Sequence, residues 1–210
     1  MLYKDPFVVS PHSFLLIQQL LKLPGLEGFY LVGGTALALQ LGHRNSIDID
    51  LFSQNSFTVE SIIEALEGKH SFSATLSKNN TILAVVDNIK TDFIRHNYPF
   101  IKPPIEEEGI RFLSLEDISA MKLHAIVQSG KRLKDFIDVY YLLEHITMAE
   151  MIGYYEEKYT YSNAMIALKA LSYLDEIDEE IDPPKMLAPL SIPTIKARIQ
   201  TAILKPYITF

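Results

Sequence analysis

Residues 29–52, FYLVGGTALALQLGHRNSIDIDLF, constrain the fold of this chain more than any other stretch. The aromatic and β-branched run Phe29 to Val32 suits a buried strand, and helical periodicity takes over at Gly33 and Gly34. Thr35 to Leu41 reads as a short helix whose first free N–H groups and positive dipole end lie beside the glycines, where a polyanion is welcome. A turn through Gly42, His43, Arg44 and Asn45 precedes a second strand, Ser46 to Phe52. Alternation places Ser46, Asp48 and Asp50 on one face and turns Ile47, Ile49 and Leu51 to the core.

Two carboxylates roughly 7 Å apart along one strand face repel each other unless cations sit between them. Hard oxygen ligands favour Mg²⁺ or Mn²⁺, which keep waters and bridge triphosphate oxygens, and the chain has no cysteine for a thiolate site. An acidic pair taken alone is also the mark of solvated surface. The order strand, glycine turn, helix, acidic strand favours a nucleoside triphosphate and its metal ions. Arg44 would neutralise phosphate or stack on a base and Ser46 would bond phosphate, unless both simply make the turn.

Further along, Pro11 to Leu23 is an amphipathic helix with Phe14, Leu15, Ile17, Leu20 and Leu21 apolar, and Thr58 to Leu66 is a second helix stopped at Gly68. Strand patterns at Ser71 to Leu76, Thr81 to Val86 and Lys90 to Arg95 complete a mixed sheet of about five strands. Asp92 on the last of these is a third candidate carboxylate, either a general base for an attacking hydroxyl or the partner of Lys90 or Arg95 in an edge-strand ion pair. Pro99 to Gly109, with its prolines and three glutamates, reads as a linker or exposed loop, dividing a domain over 1–110 from an α-helical domain over 111–210. That second part carries helices at Leu115 to Gln128, opened by a capping-box-like Ser114 to Asp117, and at Lys131 to His145. Three more follow near Thr147 to Tyr159, Asn163 to Leu174 and Thr194 to Leu204, with a break at Asp182, Pro183 and Pro184. Asp135 and Asp138 share a helix face opposite an apolar one, and Lys122 is either a phosphate-gripping cation or half of a helix–helix ion pair with one of them.

At 48% hydrophobic residues the chain can build a real core, and a net charge of −7 argues against broad, nonspecific nucleic-acid binding. Any RNA contact must be local, and Arg44, Arg95, Lys102, Lys131, Arg132 and Lys134 are the candidates to supply it. No signal-peptide pattern opens the sequence and no apolar run is long enough to span a membrane, so the expected setting is the cytoplasm.

Gly33, Gly34, a thirteen-residue spacer and Asp48-Ile49-Asp50-Leu51 resemble the signature of the DNA polymerase beta-like nucleotidyltransferase superfamily. The wider string GGTALALQLGHRNSIDIDLF, with KLHAIVQSGKRLKDFIDVYYLL further on, is similar to the AbiEii-type nucleotidyltransferases, toxins of two-gene toxin–antitoxin and phage-defence systems. The resemblance covers most of the first 145 residues, and the last 65 carry no alignable motif. It implies an α+β fold, a mixed sheet with flanking helices followed by an α-helical C-terminal domain that completes the cleft. It further implies metal ligation by Asp48, Asp50 and Asp92 and nucleotide binding around Gly33, Gly34, Thr35, Arg44, Ser46 and Lys122. Lys122 and Asp135 would serve catalysis, with Asp138 as the rival of Asp135. The implied partners are an NTP, a tRNA acceptor and a cognate antitoxin. A nucleotidyltransferase acting on a small molecule such as an aminoglycoside, or a noncatalytic binding module, would share these motifs.

Overall fold

The computed structural model describes residues 1–177 and 185–210, which divide into two compact units. The first comprises residues 1–42, 46–99 and 103–113; the second comprises 43–45, 100–102 and 114–210.

The first unit is built on a seven-stranded mixed sheet. Its strands are β1 (Phe29–Val32), β2 (Ile49–Ser53), β3 (Phe72–Lys78), β4 (Thr81–Val86), β5 (Ile89–Arg95), β6 (Ile105–Glu107) and β7 (Ile110–Phe112), in the order β3-β4-β5-β2-β1-β7-β6. β2 lies antiparallel to β1 and parallel to β5. It is therefore a central strand, and its residues Ile49 and Leu51 are fully buried. Three helices accompany the sheet: α1 (Pro11–Leu20), α2 (Gly33–Leu41) and α3 (Val59–Glu67). Phe93 of β5 and Phe29 of β1 meet edge to face at 6.1 Å, with Phe57 5.0 Å from Phe29. Burying such rings contributes about 1.5–3 kcal/mol each.

Three expectations change here. The sheet has seven strands because the stretch read as a linker holds β6 and the turn of a hairpin whose second strand, β7, follows it directly; the two-residue turn Glu108–Gly109 has φ of 54° and 75°. Positive φ at both central positions matches the twist that a tight hairpin requires. β2 begins at Ile49 rather than Ser46, so Asp48 lies just before the strand and Ile47 is 56% exposed instead of facing the core. In α1 the buried stripe is Ser13, Leu16, Ile17 and Leu20, and Leu15 is exposed, because the apolar residues there outnumber the positions on one helical face.

The second unit is helical: α4 (Leu115–Gln128), α5 (Leu133–Leu142), α6 (Met148–Lys158), α7 (Ala164–Ser172) and α8 (Ile192–Leu204). α4 packs against α5, α6 and α7 and forms the centre of this unit. Ser114 caps α4 by accepting from the Asp117 amide at 3.1 Å, and Thr147 opens α6 with a reciprocal capping box to Glu150. The break expected at Asp182, Pro183 and Pro184 lies outside the described residues. Among the described residues no helix is long and apolar enough to cross a membrane.

Candidate functional site

The turn from β1 into α2 sets the position of the acidic residues. Gly33 has φ of +69°, a conformation that L side chains rarely adopt, and a Cβ added there would collide with the Asp50 carboxylate. Val32 pairs with Asp50 across β1 and β2, and Asp50 pairs with Asp92 across the parallel strands β2 and β5. The Asp50 and Asp92 side chains thus stand one strand spacing apart, about 4.8 Å between backbones. Thr35, 1% exposed on the first turn of α2, hydrogen-bonds the Asp48 carbonyl oxygen and lies 2.9 Å from the Ser46 hydroxyl. These two buried hydroxyls anchor the segment entering β2 and fix where Asp48 begins. Val32 at the N-cap makes no side-chain cap bond to α2, and the Asp50 carboxylate lies beside Gly33, the first residue of the helix.

Asp92 is 8% exposed, and its Oδ1 is buried without a hydrogen-bond partner among the described residues. Burial pushes its carboxyl above the ordinary range; Lys90 opposes that and the Asp48 charge adds to it. The Lys90 ammonium lies 3.4 Å from Asp92 Oδ2. Burial works against its charge, but the carboxylates of Asp92, Asp48 and Asp50 prevail and hold it above the usual lysine range. Among the described residues no three His, Cys, Asp or Glu side chains form a closed ligand set. Mg²⁺ does not need one, because it is commonly held by one or two carboxylates with waters and substrate phosphates completing the octahedron. Hard carboxylate oxygens and an orphaned buried Oδ1 fit such a half-site.

Arg44, Lys122, Asp135 and Asp138 meet inside the helical unit. The Arg44 guanidinium binds Asp138 at both ends, Nε to Oδ1 at 2.7 Å and one Nη to Oδ2 at 2.9 Å, and Arg44 is 2% exposed. His43 Nε2 reaches Asp138 Oδ1 at 2.7 Å. Lys122 lies 2.7 Å from Asp138 Oδ2 and 2.9 Å from Asp135 Oδ1, and Arg132 lies 3.7 Å from Asp135 Oδ2. Burial opposes the Asp138 charge, yet Arg44, Lys122 and the bond from His43 carry its carboxyl well below the usual range. Both aspartates are buried with the apolar side chains of α5 instead of lying on an opposite, open face. A phosphate would have to displace Asp138 to reach Arg44, so of the six basic residues expected to supply an RNA contact this one is already committed to a carboxylate. The alternative of a helix–helix ion pair at Lys122 is realised with Asp135 and Asp138 together.

Sequence reasoning did not find a second buried pair in the same unit, Lys158 Nζ to Asp117 Oδ1 at 2.8 Å with both side chains fully buried. Asp117 also accepts from the Ile101 and Lys102 amides and from the Ser114 hydroxyl. Its place in the capping segment was a visible signal; nothing in the sequence pointed to a lysine 41 residues away.

A family model described as the nucleotidyl transferase AbiEii toxin of type IV toxin–antitoxin systems matches residues 15–197, extending through the C-terminal part where no motif was alignable. An uncharacterized protein of Aquifex aeolicus is 30% identical over 171 residues, 79% of this chain and 82% of that protein. Among solved structures, MenT4, a nucleotidyltransferase toxin from Mycobacterium tuberculosis, is similar with a TM-score of 0.59 and 13% identity over 93% of this chain and 84% of its own. JHP933 from Helicobacter pylori gives 0.56 and 14%, covering 92% and 90%. At those identities the likeness is one of fold.

Proposed function

The chain belongs to the AbiEii nucleotidyltransferase toxin family, and from that premise we propose that it transfers a nucleoside monophosphate from an NTP to a hydroxyl at the 3′ end of tRNA, in the cytoplasm, with Mg²⁺ or Mn²⁺ held by Asp48, Asp50 and Asp92. One observation carries the reading: Asp50 stands level with Asp92 on the neighbouring strand, and Gly33 leaves room for its carboxylate beside the start of α2. Membership of a toxin–antitoxin family makes a cognate antitoxin the expected genetic partner.

The acceptor oxygen would attack the α-phosphorus as the bond to the α–β bridging oxygen breaks, releasing pyrophosphate. Asp92 is the residue to take the acceptor proton, because burial makes its carboxylate more basic than an exposed aspartate. A bound divalent cation supplies charge to offset the triphosphate and polarise its phosphoryl oxygens. Gly33 and Gly34 let the triphosphate approach the backbone, and the first turn of α2 offers N–H groups to its oxygens. Thr35 and Ser46 hold the approach to Asp48 in place. Lys122 keeps a part in this reading, since an ammonium can donate three hydrogen bonds and its pairs with Asp135 and Asp138 account for two.

The test is incubation of the purified protein with total tRNA, each labelled NTP in turn and Mg²⁺, beside an Asp48→Ala control. Label entering tRNA and vanishing in the control is the expected result. Label appearing only on added aminoglycosides would overturn the choice of acceptor in favour of a small-molecule transferase, and label on neither would reject tRNA.

A further inference from the structure

Lys90, expected from the sequence only as an ion-pair partner of Asp92, places its ammonium beside the acidic residues of the first unit. Lys90 and Asp92 are two apart on β5 and share one face of the sheet. Asp50 pairs with Asp92 across β2 and β5, and the Asp48 charge acts on both Lys90 and Asp92. Three negative charges, those of Asp92, Asp48 and Asp50, thus act on one positive. The Lys90 side chain is 59% exposed, while that of Asp92, 3.4 Å away, is 11% exposed. One partner is therefore fixed, and the other sits on a flexible four-carbon stem with open water beside it. The buried Asp92 Oδ1 has no hydrogen-bond partner among the described residues, and the lysine approaches the other carboxylate oxygen. A fixed acceptor, half satisfied, paired with a cation free to swing away, is the arrangement of a displaceable counter-ion and not of a locked structural pair.

We propose that Lys90 is a resident counter-ion of the carboxylate site, occupying the place of positive charge until a divalent cation drives it off Asp92. The proposal rests on the reading of Asp48, Asp50 and Asp92 as metal ligands. Its consequence is that a metal ion alone meets a site already partly neutralised and binds weakly. A divalent ion about 6 Å from a lysine charge in a water-like dielectric loses roughly tenfold in affinity. Metal then binds best together with a triphosphate, whose oxygens give the displaced ammonium a new partner.

The experiment is a titration of the whole protein with Mn²⁺ in the absence of nucleotide, followed by electron paramagnetic resonance of the free ion. Wild type, Lys90→Met and Lys90→Arg are compared, with Lys78→Met as a control for general surface charge. The expected result is Mn²⁺ binding about tenfold tighter in Lys90→Met, near wild type in Lys90→Arg and unchanged in Lys78→Met. If Lys90 only pins Asp92, Lys90→Met binds Mn²⁺ more weakly; if Lys90 contacts only the triphosphate, Mn²⁺ affinity without nucleotide does not change. Either outcome overturns the proposal. A parallel titration with Mn²⁺ and a non-hydrolysable NTP separates the two levels. Nucleotide-dependent Mn²⁺ binding that is lost in Asp50→Asn, with no effect of Lys90→Met on metal alone, sinks the counter-ion and spares the metal site. No Mn²⁺ binding under any condition removes both.

Discussion

Asp138→Ala tests whether the helical unit is held by a buried charge network centred on one carboxylate. Asp138 is fully buried and receives His43 Nε2, two guanidinium nitrogens of Arg44 and the Lys122 ammonium, all within 2.9 Å. Removing it takes the carboxylate from the buried Arg44 guanidinium and leaves Lys122 with Asp135. Truncating one partner of a buried pair typically costs about 3–5 kcal/mol, because the remaining charge stays desolvated without compensation. In a chain of this length that corresponds to a fall in Tm of roughly 6–20 °C. Asp135→Ala removes only the Lys122 contact at 2.9 Å and the longer Arg132 contact at 3.7 Å, while Lys122 keeps Asp138, so its cost is about 1–3 kcal/mol. The assay is urea denaturation at neutral pH followed by far-UV circular dichroism, with Arg44→Met, Asp138→Leu and their combination completing a cycle. The double variant should recover part of the loss, since a packed apolar pair replaces a broken ionic one. An Asp135→Ala loss equal to or greater than that of Asp138→Ala, or a cycle without coupling between Arg44 and Asp138, would refute the reasoning.

Gly33→Ala should lower stability by about 1–3 kcal/mol and transfer activity by roughly a hundredfold, because the methyl displaces Asp50; kinetics at a temperature where the variant is folded would check this, and wild-type turnover would count against it. Lys122→Met should lose both stability, as Asp135 and Asp138 lose a shared cation, and activity; a stable, inactive variant would mean that the network does not depend on its ammonium. Burial holds the His43 imidazole below its ordinary value of 6.5 despite Asp138, and burial lowers His124 as well. The unfolded chain therefore takes up protons near pH 6.5 that the fold resists, and stability should fall as pH drops below that value. A flatter urea midpoint between pH 7.5 and 5 in His43→Gln is the expected outcome, and an unchanged slope would exclude His43 as its source.

How much of the fold was legible depended on whether an element carries its own periodicity. The β4 boundaries and the α4 helix, with its Ser114 cap, follow from patterns within the element, and the structure reproduces them. The β6–β7 hairpin does not, because three-residue strands are too short to show alternation and three glutamates in a row look like solvated loop. Its signal was the Glu-Gly turn, weaker than Asn-Gly because a non-glycine residue must accept positive φ. Ile47 misled for a related reason: the alternation Ser46 to Phe52 holds in sequence, but the segment before Ile49 is anchored by Thr35 and by the Val8 carbonyl, which accepts from the Ser46 amide, and it is not yet strand.

The meeting of the Asp50 carboxylate with Gly33 was legible because it is local, with a glycine turn and an acidic strand close in sequence. Of the charge network only the Lys122 pairing was legible, because the bond from Arg44 joins it to a residue 94 positions away. The i, i+3 spacing of Asp135 and Asp138 shows that they share a side of α5 but cannot show which of them a guanidinium selects. Burial bears on that choice: at a fully enclosed position an unpaired carboxylate is untenable, and Asp138 is the more enclosed of the two. The same logic separates the two lysines. Lys122, nearly enclosed, is tied to two carboxylates and costly to release, whereas Lys90, largely open to water, can leave its partner at little cost. An exchange of charge during a reaction cycle is therefore expected at Lys90, and a permanent one at Lys122.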